Sequence, residues 1–217
     1  EQLRASVDAF NLTESPRARM AVEPKCVGAT LLARGIEPIV QITARDRNRI
    51  AIQADLLGGA VLGLGNFVFM TGDQPRGGDH PDAKPVFDWT ASDMLRAARE
   101  LSGGRDAMGN ELKGAPHLFF GAVANPGAKD FEGEVVNTRR KIDAGANFLQ
   151  TQALYEADAL ARFMDAVKPE GTAILAGIIP LKSAKMARWL NDNVPGIRVP
   201  EALIAEMEAV AGEHAVR

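Results

Sequence analysis

Residues 38–71 read PIVQITARDRNRIAIQADLLGGAVLGLGNFVFMT, and this stretch decides the fold class. It begins and ends with a short, mostly apolar run, at residues 38–43 and 66–71. Between the two runs, residues 45–61 carry apolar side chains at helical spacing. A helical connection of this length joins strands that run in the same direction. The stretch therefore predicts a β-α-β unit of a parallel sheet.

The same alternation of apolar runs and helical segments continues along the rest of the chain. Four further strands are predicted, at residues 7–11, 117–124, 147–152 and 172–179. Further helices are predicted near residues 91–101, 132–144, 157–167, 183–191 and 200–211. The strands are apolar almost throughout, which is typical of strands that are covered on both faces. The pattern thus predicts an α/β protein with six β/α units.

Two architectures fit such units, a doubly wound open sheet and a (β/α)8 barrel. No G-x-G-x-x-G motif follows the first predicted strand, and this disfavours the dinucleotide-binding open sheet. A barrel needs eight strands. We therefore predict one domain over residues 1–217, a (β/α)8 TIM barrel that lacks the first and the last strand unit. The start at Glu1, without an initiator Met, agrees with a unit that is absent at the front.

The composition of the chain narrows the classes of function. A net charge of −3 offers no electrostatic attraction to nucleic acid or to anionic membranes. No run of about 18 apolar residues occurs, so no membrane span is predicted. A single cysteine and the absence of a basic-apolar signal fit a reducing, cytoplasmic compartment. The histidines have no metal-ligand spacing, so no metal site is predicted.

Polar residues end four of the predicted strands. In a parallel barrel the carboxyl ends of all strands open on one face, where active sites form. The alternative is that these residues only begin loops. Because four strands share the feature, we favour a site at this face. The residues are Gln41 with Thr43, Thr71-Gly72-Asp73, Asn125, and Thr151-Gln152.

Asp73 and Gln152 are the main candidates for contacts to a ligand. Gly72 would let the backbone approach a flat ligand closely, and the Asp73 carboxylate could accept hydrogen bonds from ring N–H or amino groups. The Gln152 amide offers a donor and an acceptor to the edge of a heteroaromatic ring. The alternatives are an Asx-type turn at Asp73 and a satisfied core amide at Gln152.

A basic run in the helix predicted near residues 132–144 is a candidate anion site. By helical spacing Asn137, Arg140 and Lys141 share one face, from which they could reach a phosphate together. The alternative is a solvated face on which the cations pair with Glu134 or Asp143. The sequence leaves both interpretations open.

A second basic group begins the helix predicted at residues 45–61. Arg45, Arg47 and Arg49 lie where cations oppose the helix dipole, so a nearby anion would explain them. The alternative is that they are outward-facing side chains paired with Asp46 or Asp55, and we favour this second interpretation.

Several segments resemble methylenetetrahydrofolate reductases, in the same order and at the same spacing. The resemblance extends from Phe10 to about Pro200, and KIDAGANFLQTQ after a basic helix is its most specific part. The matching segments are NFVFMTGDQP at residues 66–75, NTRRKIDAGAN at 137–147 with FLQTQ directly after it, and ILAGIIP at 174–180.

The resemblance implies a (β/α)8 barrel that binds FAD. It implies reduction of 5,10-methylenetetrahydrofolate to 5-methyltetrahydrofolate with NAD(P)H as the hydride source, in one-carbon metabolism and methionine biosynthesis. Folate and NAD(P)H are the implied partners, and a homo-oligomer is compatible with the resemblance. Asp73, near the flavin and the folate pterin, and Gln152, on the pterin, are the implied catalytic residues.

The resemblance also implies a set of contacts to FAD. Gln41 lies where many members have a flavin-contacting His. The residues along the isoalloxazine ring would be Met70, Thr71, Gly72 and Asp73. The residues at the phosphates and ribose would be Glu134, Asn137, Arg140 and Lys141.

The chain departs from the family's pattern at several positions. It has no E-F-F-P-P-like motif with the Glu that serves as the family's general acid. Thr71 stands where many members have Arg, and Asn125 replaces an aromatic residue. These departures keep two alternatives to a reductase, which are a non-catalytic folate-binding or partner subunit and a barrel methyltransferase that uses methyltetrahydrofolate.

Overall fold

The computed structural model describes residues 3–211. Over these residues the chain forms six β-strands and seven α-helices. The strands are β1 (Phe10–Leu12), β2 (Pro38–Thr43), β3 (Asn66–Met70), β4 (Phe119–Ala124), β5 (Phe148–Ala153) and β6 (Ala173–Gly177). The helices are α1 (Pro24–Leu32), α2 (Arg49–Val61), α3 (Ala91–Ser102), α4 (Phe131–Asp143), α5 (Ala157–Val167), α6 (Ala184–Asn193) and α7 (Glu201–Ala211). None of the described helices is long and apolar enough to cross a membrane.

The strands lie in one sheet in the order β1-β2-β3-β4-β5-β6, so each strand follows its neighbour in the sequence. The pairs β1–β2, β2–β3, β3–β4 and β5–β6 are parallel, and a helix follows each strand. A doubly wound sheet would instead reverse its strand order at a switch point. The predicted α/β fold of the TIM-barrel type, with six of the eight units, is confirmed.

The predicted strands agree with the structure to within a few residues. β2 spans the predicted residues 38–43, and β4 begins at Phe119, two residues later than predicted. The largest difference lies at β1, which begins at Phe10 and not at Val7 because a short 3₁₀ turn at Arg4–Ser6 precedes it.

The described residues form two compact units, and the first comprises residues 3–122 with 143–147. Its core is the pair of central strands β2 and β3, in which Val40, Phe67 and Phe69 are completely buried. Helix α2 comes close to this core at Gly59, where a Cβ atom would lie 2.7 Å from Cζ of Phe67. The apolar runs that predicted these strands therefore become buried on both faces.

The second unit comprises residues 123–142 with 148–211. Its apolar core joins the end of β5 to α6 and α7 through Ala187, Leu190 and Ile204, all buried. On α4 and α5 the rings of Phe131 and Phe163 meet edge to face at a centroid distance of 6.3 Å. The prediction that residues 1–217 form a single domain stays a prediction.

The long polar segment between β3 and α3 is anchored at its far end in the first unit. Val86 donates its N–H to the carbonyl of Arg45 at 2.7 Å. The carboxylate of Asp88 accepts the backbone N–H of Arg49 at 2.9 Å, and both oxygens accept guanidinium N–H groups of Arg49 at 2.8 Å. Asp88 therefore joins the end of this segment to the first turn of α2.

We expect Asp88 to titrate well below an ordinary aspartate. The guanidinium of Arg49 and the Arg49 backbone N–H both bond to the charged carboxylate, and they lower the pKa of Asp88 to about 2. Because the pKa of Asp88 is lower in the folded state, its ionised carboxylate stabilises the fold fully at pH values above the ordinary pKa of 3.8. This stabilisation is lost as the pH falls from 3.8 through about 2. Carboxyl ¹³C chemical shifts measured against pH test the value.

The matched variants for this titration are Arg49→Gln and Arg96→Gln. The first should return the pKa of Asp88 toward its ordinary value, because it removes the guanidinium. The second removes an arginine that pairs with Asp93 and should leave Asp88 unchanged. An Asp88 midpoint that is the same in all three proteins would contradict the assignment.

Candidate functional site

The carboxyl end of β3 forms a sharp turn that only glycine fits. Gly72 has φ +88°, a conformation that side chains disfavour. A Cβ atom on Gly72 would lie 3.1 Å from the Cβ atoms of both Thr43 and Arg45. The carbonyl of Met70 accepts the N–H of Ala44 at 3.1 Å, so the strand stays paired up to this turn. The backbone from Met70 to Asp73, which was predicted to belong to the site, thus passes close to the end of β2.

Asp73 follows this turn and contacts the loop after β1. Its Oδ2 accepts the backbone N–H of Arg17 at 3.1 Å. Both carboxylate oxygens of Asp79 accept the N–H of Met20 at 3.1 Å. Two carboxylates of one loop therefore hold the backbone of the other, in which Arg17 and Ala18 have positive φ values of 56° and 53°. The side chain of Asp73 is exposed. Of the two residues predicted to be catalytic, Asp73 is the charged one, and it lies in this unit.

Gln41 is a buried residue of β2 in the same unit. Its Nε2 donates to Oδ1 of Asn11 on the neighbouring strand at 3.1 Å. The bond fixes the direction of the amide, so that Oε1 of Gln41 is the atom left to accept a further hydrogen bond. Thr43, two residues later in β2, is 1% exposed, and its hydroxyl has no hydrogen-bond partner among the described residues.

A network of ion pairs, buried at Glu14 and partly buried at its other members, supports this end of the sheet. Glu14, 5% exposed, accepts the N–H of Thr43 and pairs with Arg47. Arg47 also pairs with Asp55, which in turn pairs with Lys25. Burial opposes the charge of Arg47, yet Glu14 and Asp55 outweigh it and raise the pKa of Arg47. Each of these four charged side chains has a partner of opposite charge. The network therefore orients Thr43 and with it the turn at Gly72.

Helix α2 begins at Arg49, directly after its cap Asn48, and not at residue 45 as predicted, so Arg45 and Arg47 precede it. The three arginines are paired with carboxylates, as the favoured interpretation of the sequence held. Arg45 pairs with Asp46 at 2.7 Å and Arg47 with Asp55, while Arg49 pairs with Asp88 at 2.8 Å. Arg45 differs from the prediction in one respect, since it is 3% exposed and does not face outward.

In the second unit, Glu134 is the centre of a cluster at the end of β4. Its Oε1 accepts the backbone N–H of Asn125 at 2.9 Å and the hydroxyl of Thr138 at 3.2 Å. Its Oε2 accepts Nδ2 of Asn137 at 3.2 Å. The Nζ atom of Lys141 lies 3.9 Å from Oε1 of the same carboxylate. The structure therefore brings together three of the predicted residues, Glu134, Asn137 and Lys141.

The three consecutive basic residues of α4 have three different environments. Arg139 donates to the carbonyl of Ala166 at the end of α5. The side chain of Arg140 is exposed and makes no hydrogen bond or ion pair with any residue in the described range 3–211. Lys141 is 6% exposed and donates to the carbonyl of Val123 at 2.8 Å. Of the three, Arg140 has an exposed side chain that makes no hydrogen bond or ion pair within the described residues.

Gln152 lies near the end of β5, where the pairing with β6 is irregular. The register of the two strands shifts between Gln150 and Ala153. Oε1 of Gln152 accepts the N–H of Ala153 at 3.1 Å, which leaves its Nε2 to donate to a ligand. The prediction that Asp73 and Gln152 lie side by side stays a prediction, because the two residues belong to different units.

Sequence reasoning missed Glu14, because the register of β1 on β2 identifies it and only the structure provides that register. Leu12 of β1 pairs with Val40 of β2, so the residues after β1 lie beside the end of β2. An acidic residue two positions beyond the strand therefore reaches the N–H groups near Thr43. Among the described residues, no group of three or more His, Cys, Asp or Glu side chains could hold a metal ion.

The sequence model of the family described as methylenetetrahydrofolate reductase matches residues 7–217. The chain belongs to this family. It is 24% identical over 178 residues to a probable methylenetetrahydrofolate reductase (NADPH) of Caenorhabditis elegans, an alignment that covers 81% of this chain and 25% of the relative. It is 28% identical over 147 residues to the 5,10-methylenetetrahydrofolate reductase of Escherichia coli K12, covering 67% of this chain and 44% of the relative.

The chain thus spans less than half the length of these two reductases. Among solved structures, it is similar to an uncharacterized protein from Clostridium thermocellum that binds two copies of 5-methyl-5,6,7,8-tetrahydrofolic acid. The TM-score is 0.60 at 16% identity, over 94% of this chain and 64% of that one. At 16% identity, this structural similarity supports only the fold of the chain.

We expect Gly72→Ala to destabilise the chain by about 1–3 kcal/mol, because alanine disfavours a positive φ and its methyl group would press on Thr43 and Arg45. Gly58→Ala in α2 is the control, since a Cβ there meets nothing within 4 Å. It should stabilise by about 0.4–1 kcal/mol, because alanine restricts the unfolded chain. Urea denaturation measures both, and a Gly72→Ala variant as stable as wild type would contradict this account of the turn.

Proposed function

We propose that the chain carries the catalytic barrel of a flavin-dependent methylenetetrahydrofolate reductase. It would reduce 5,10-methylenetetrahydrofolate to 5-methyltetrahydrofolate with NAD(P)H as hydride source, as a cytoplasmic enzyme of the one-carbon metabolism that supplies methionine. The observation that carries the proposal is the family match over residues 7–217 together with the turn at Gly72, which presents Asp73 at a strand end. A homo-oligomer is part of the expectation and stays a prediction.

The residues of α4 fit the phosphate and ribose end of FAD. Arg140 is exposed and has no partner among the described residues, and Asn137 lies one turn earlier on the same helix. Glu134 orients the amide of Asn137 by accepting its Nδ2, which leaves Oδ1 to accept from a ribose hydroxyl. At this spacing the guanidinium of Arg140 could pair with a phosphate while the amide of Asn137 bonds to a neighbouring ribose hydroxyl.

The turn at the end of β3 would lie along the isoalloxazine ring, and the packing of Gly72 against Thr43 and Arg45 fixes its backbone there. When bound, FAD supplies the transfer of hydride to the folate. Thr71 offers a hydroxyl where many family members have Arg, so this chain would bind the polar edge of the ring without a positive charge.

Asp73 and Gln152 would orient and polarise the folate. The Asp73 carboxylate would accept hydrogen bonds from the pterin, and its negative charge would stabilise the cation that forms when the imidazolidine ring opens to an iminium. Nε2 of Gln152 would donate to the pterin edge while Oε1 stays bonded to the backbone of Ala153. The folate bound by the similar Clostridium thermocellum protein supports this class of substrate.

We expect purified protein to absorb near 450 nm or to gain this absorbance when FAD is added, as a bound flavin does. In that protein Asp73→Asn should lower the rate of folate reduction about 100-fold or more, since a preorganised charge at the reacting group typically contributes this much. The assay is the reoxidation of reduced flavin by 5,10-methylenetetrahydrofolate.

Asp79→Asn is the matched control. Asp79, like Asp73, lies in the loop after β3 and accepts a backbone N–H of the loop after β1. The variant therefore measures the effect of weakening the contact between these two loops. Its rate should stay within a few-fold of wild type. If Asp73→Asn turned over folate at the wild-type rate, Asp73 would have no part in the reaction. A protein that binds folate but no FAD would favour a folate-binding subunit or a methyltransferase.

A further inference from the structure

The loop after β1 (residues 13–23) packs against the loop after β3 (residues 71–90), and a glycine permits this contact. A Cβ atom on Gly78 would lie 1.9 Å from the carbonyl oxygen of Ala18 and 2.6 Å from the carbonyl carbon. Both distances are far shorter than a van der Waals contact, so a side chain at position 78 would push the two loops apart. A Cβ atom on the neighbouring Gly77 would meet nothing within 4 Å.

The loop after β1 has a backbone conformation that needs support from outside the loop. Ser15, Arg17 and Ala18 have φ values of 38°, 56° and 53°, in a region that residues with a side chain rarely adopt. Such residues persist only where the surrounding structure fixes them, and they are concentrated at active sites and ligand clamps. Part of this support comes from the buried side chain of Arg45, whose Nη1 donates to the carbonyl of Ser15 at 3.4 Å.

Two carboxylates of the loop after β3 hold the same backbone. Oδ2 of Asp73 accepts the N–H of Arg17 at 3.1 Å. Asp79, directly after the glycine at position 78, accepts the N–H of Met20 at 3.1 Å. Along both loops the glycine contact lies between these two hydrogen bonds. Because of this position, a side chain on the glycine would lengthen both bonds.

The hydrogen bond from Arg17 determines which oxygen of Asp73 can meet a ligand. The carboxylate is exposed, so without this bond its side chain would be free to rotate in solvent. With Oδ2 bonded to the N–H, Oδ1 is the oxygen left to accept a hydrogen bond from a ligand. The donor belongs to the backbone, so it stays in place as long as the two loops stay in contact.

We propose that Gly78 is a positioning residue for Asp73. Because Gly78 has no side chain, the loop after β1 comes close enough for the N–H of Arg17 to fix Oδ2 and to leave Oδ1 for the ligand. The effect on the reaction rests on the proposed function, in which this carboxylate polarises the folate. The contact between the two loops concerns only this chain.

Hydrogen exchange of the protein without FAD tests the contact. In the wild-type chain the Arg17 amide should exchange about tenfold or more slowly than an unprotected amide. Gly78→Ala should remove this protection from the Arg17 and Met20 amides, because both lose their acceptors when the loops separate. Gly77→Ala should leave both amides at the wild-type rates, since its Cβ has open space. Free exchange of the Arg17 amide in wild type, or unchanged protection in Gly78→Ala, would refute the contact.

The rate of folate reduction tests the effect on Asp73. Gly78→Ala should slow the reoxidation of reduced flavin by saturating 5,10-methylenetetrahydrofolate about tenfold or more, since a misplacement of about 1 Å can cost as much as 100-fold. Gly77→Ala should react at the wild-type rate. Asp79→Asn is a milder change than Gly78→Ala, because asparagine keeps an acceptor oxygen for the N–H of Met20. A Gly78→Ala variant that reduces folate at the wild-type rate would overturn the proposal.

A double-mutant cycle separates positioning from a general loosening of the structure. In the Asp73→Asn background, Gly78→Ala should change the rate by less than about twofold, because the carboxylate that it positions is already absent. A further tenfold loss in that background would show that Gly78 acts through other groups, against the proposal. A wild-type chain that reduces no folate would refute the proposed function, while hydrogen exchange would still decide on the contact between the loops.

Discussion

Backbone groups at the carboxyl ends of the parallel strands have no further strand to pair with, and the candidate site depends on how they are satisfied. A buried N–H or C=O without a partner costs about 1–3 kcal/mol. Glu14 accepts the N–H of Thr43, and Glu134 accepts the N–H of Asn125. Lys141 donates to a carbonyl of the same strand end. Charged side chains thus complete the sheet where ligands would bind.

This constraint explains why the charged residues near the strand ends differ so much in availability. Arg45, Arg47 and Arg49, at and just before the start of α2, all pair with carboxylates of the chain itself. Arg140 is solvent-exposed and unpaired in the described part of the chain. A charged side chain that is hydrogen-bonded to the backbone orients its neighbours. A charged side chain without a partner can bind a ligand. Asp73 combines the two properties, since one carboxylate oxygen accepts the N–H of Arg17 and the side chain stays exposed.

Much of the fold and part of the site can be predicted from the sequence. The bounds of β2 follow from a mostly apolar run, which is typical of a strand covered on both faces. At Gly72 the sequence predicted a close approach of the backbone to a ligand, and in the structure the close neighbours are Thr43 and Arg45. Glu14 was not recognisable, because its partners Thr43 and Arg47 lie some 30 residues away and meet it only through the pairing of β1 with β2.

The sequence alone determined the order of strands and helices and the family, since periodicity and short motifs are local properties of the chain. The tertiary structure alone decided what each basic residue of α4 does. Arg139, Arg140 and Lys141 are adjacent and carry the same charge, yet one meets the carbonyl of Ala166, one meets solvent and one meets the carbonyl of Val123. The physical reason is that a helix turns each residue toward a different neighbour, and those neighbours come from distant parts of the chain.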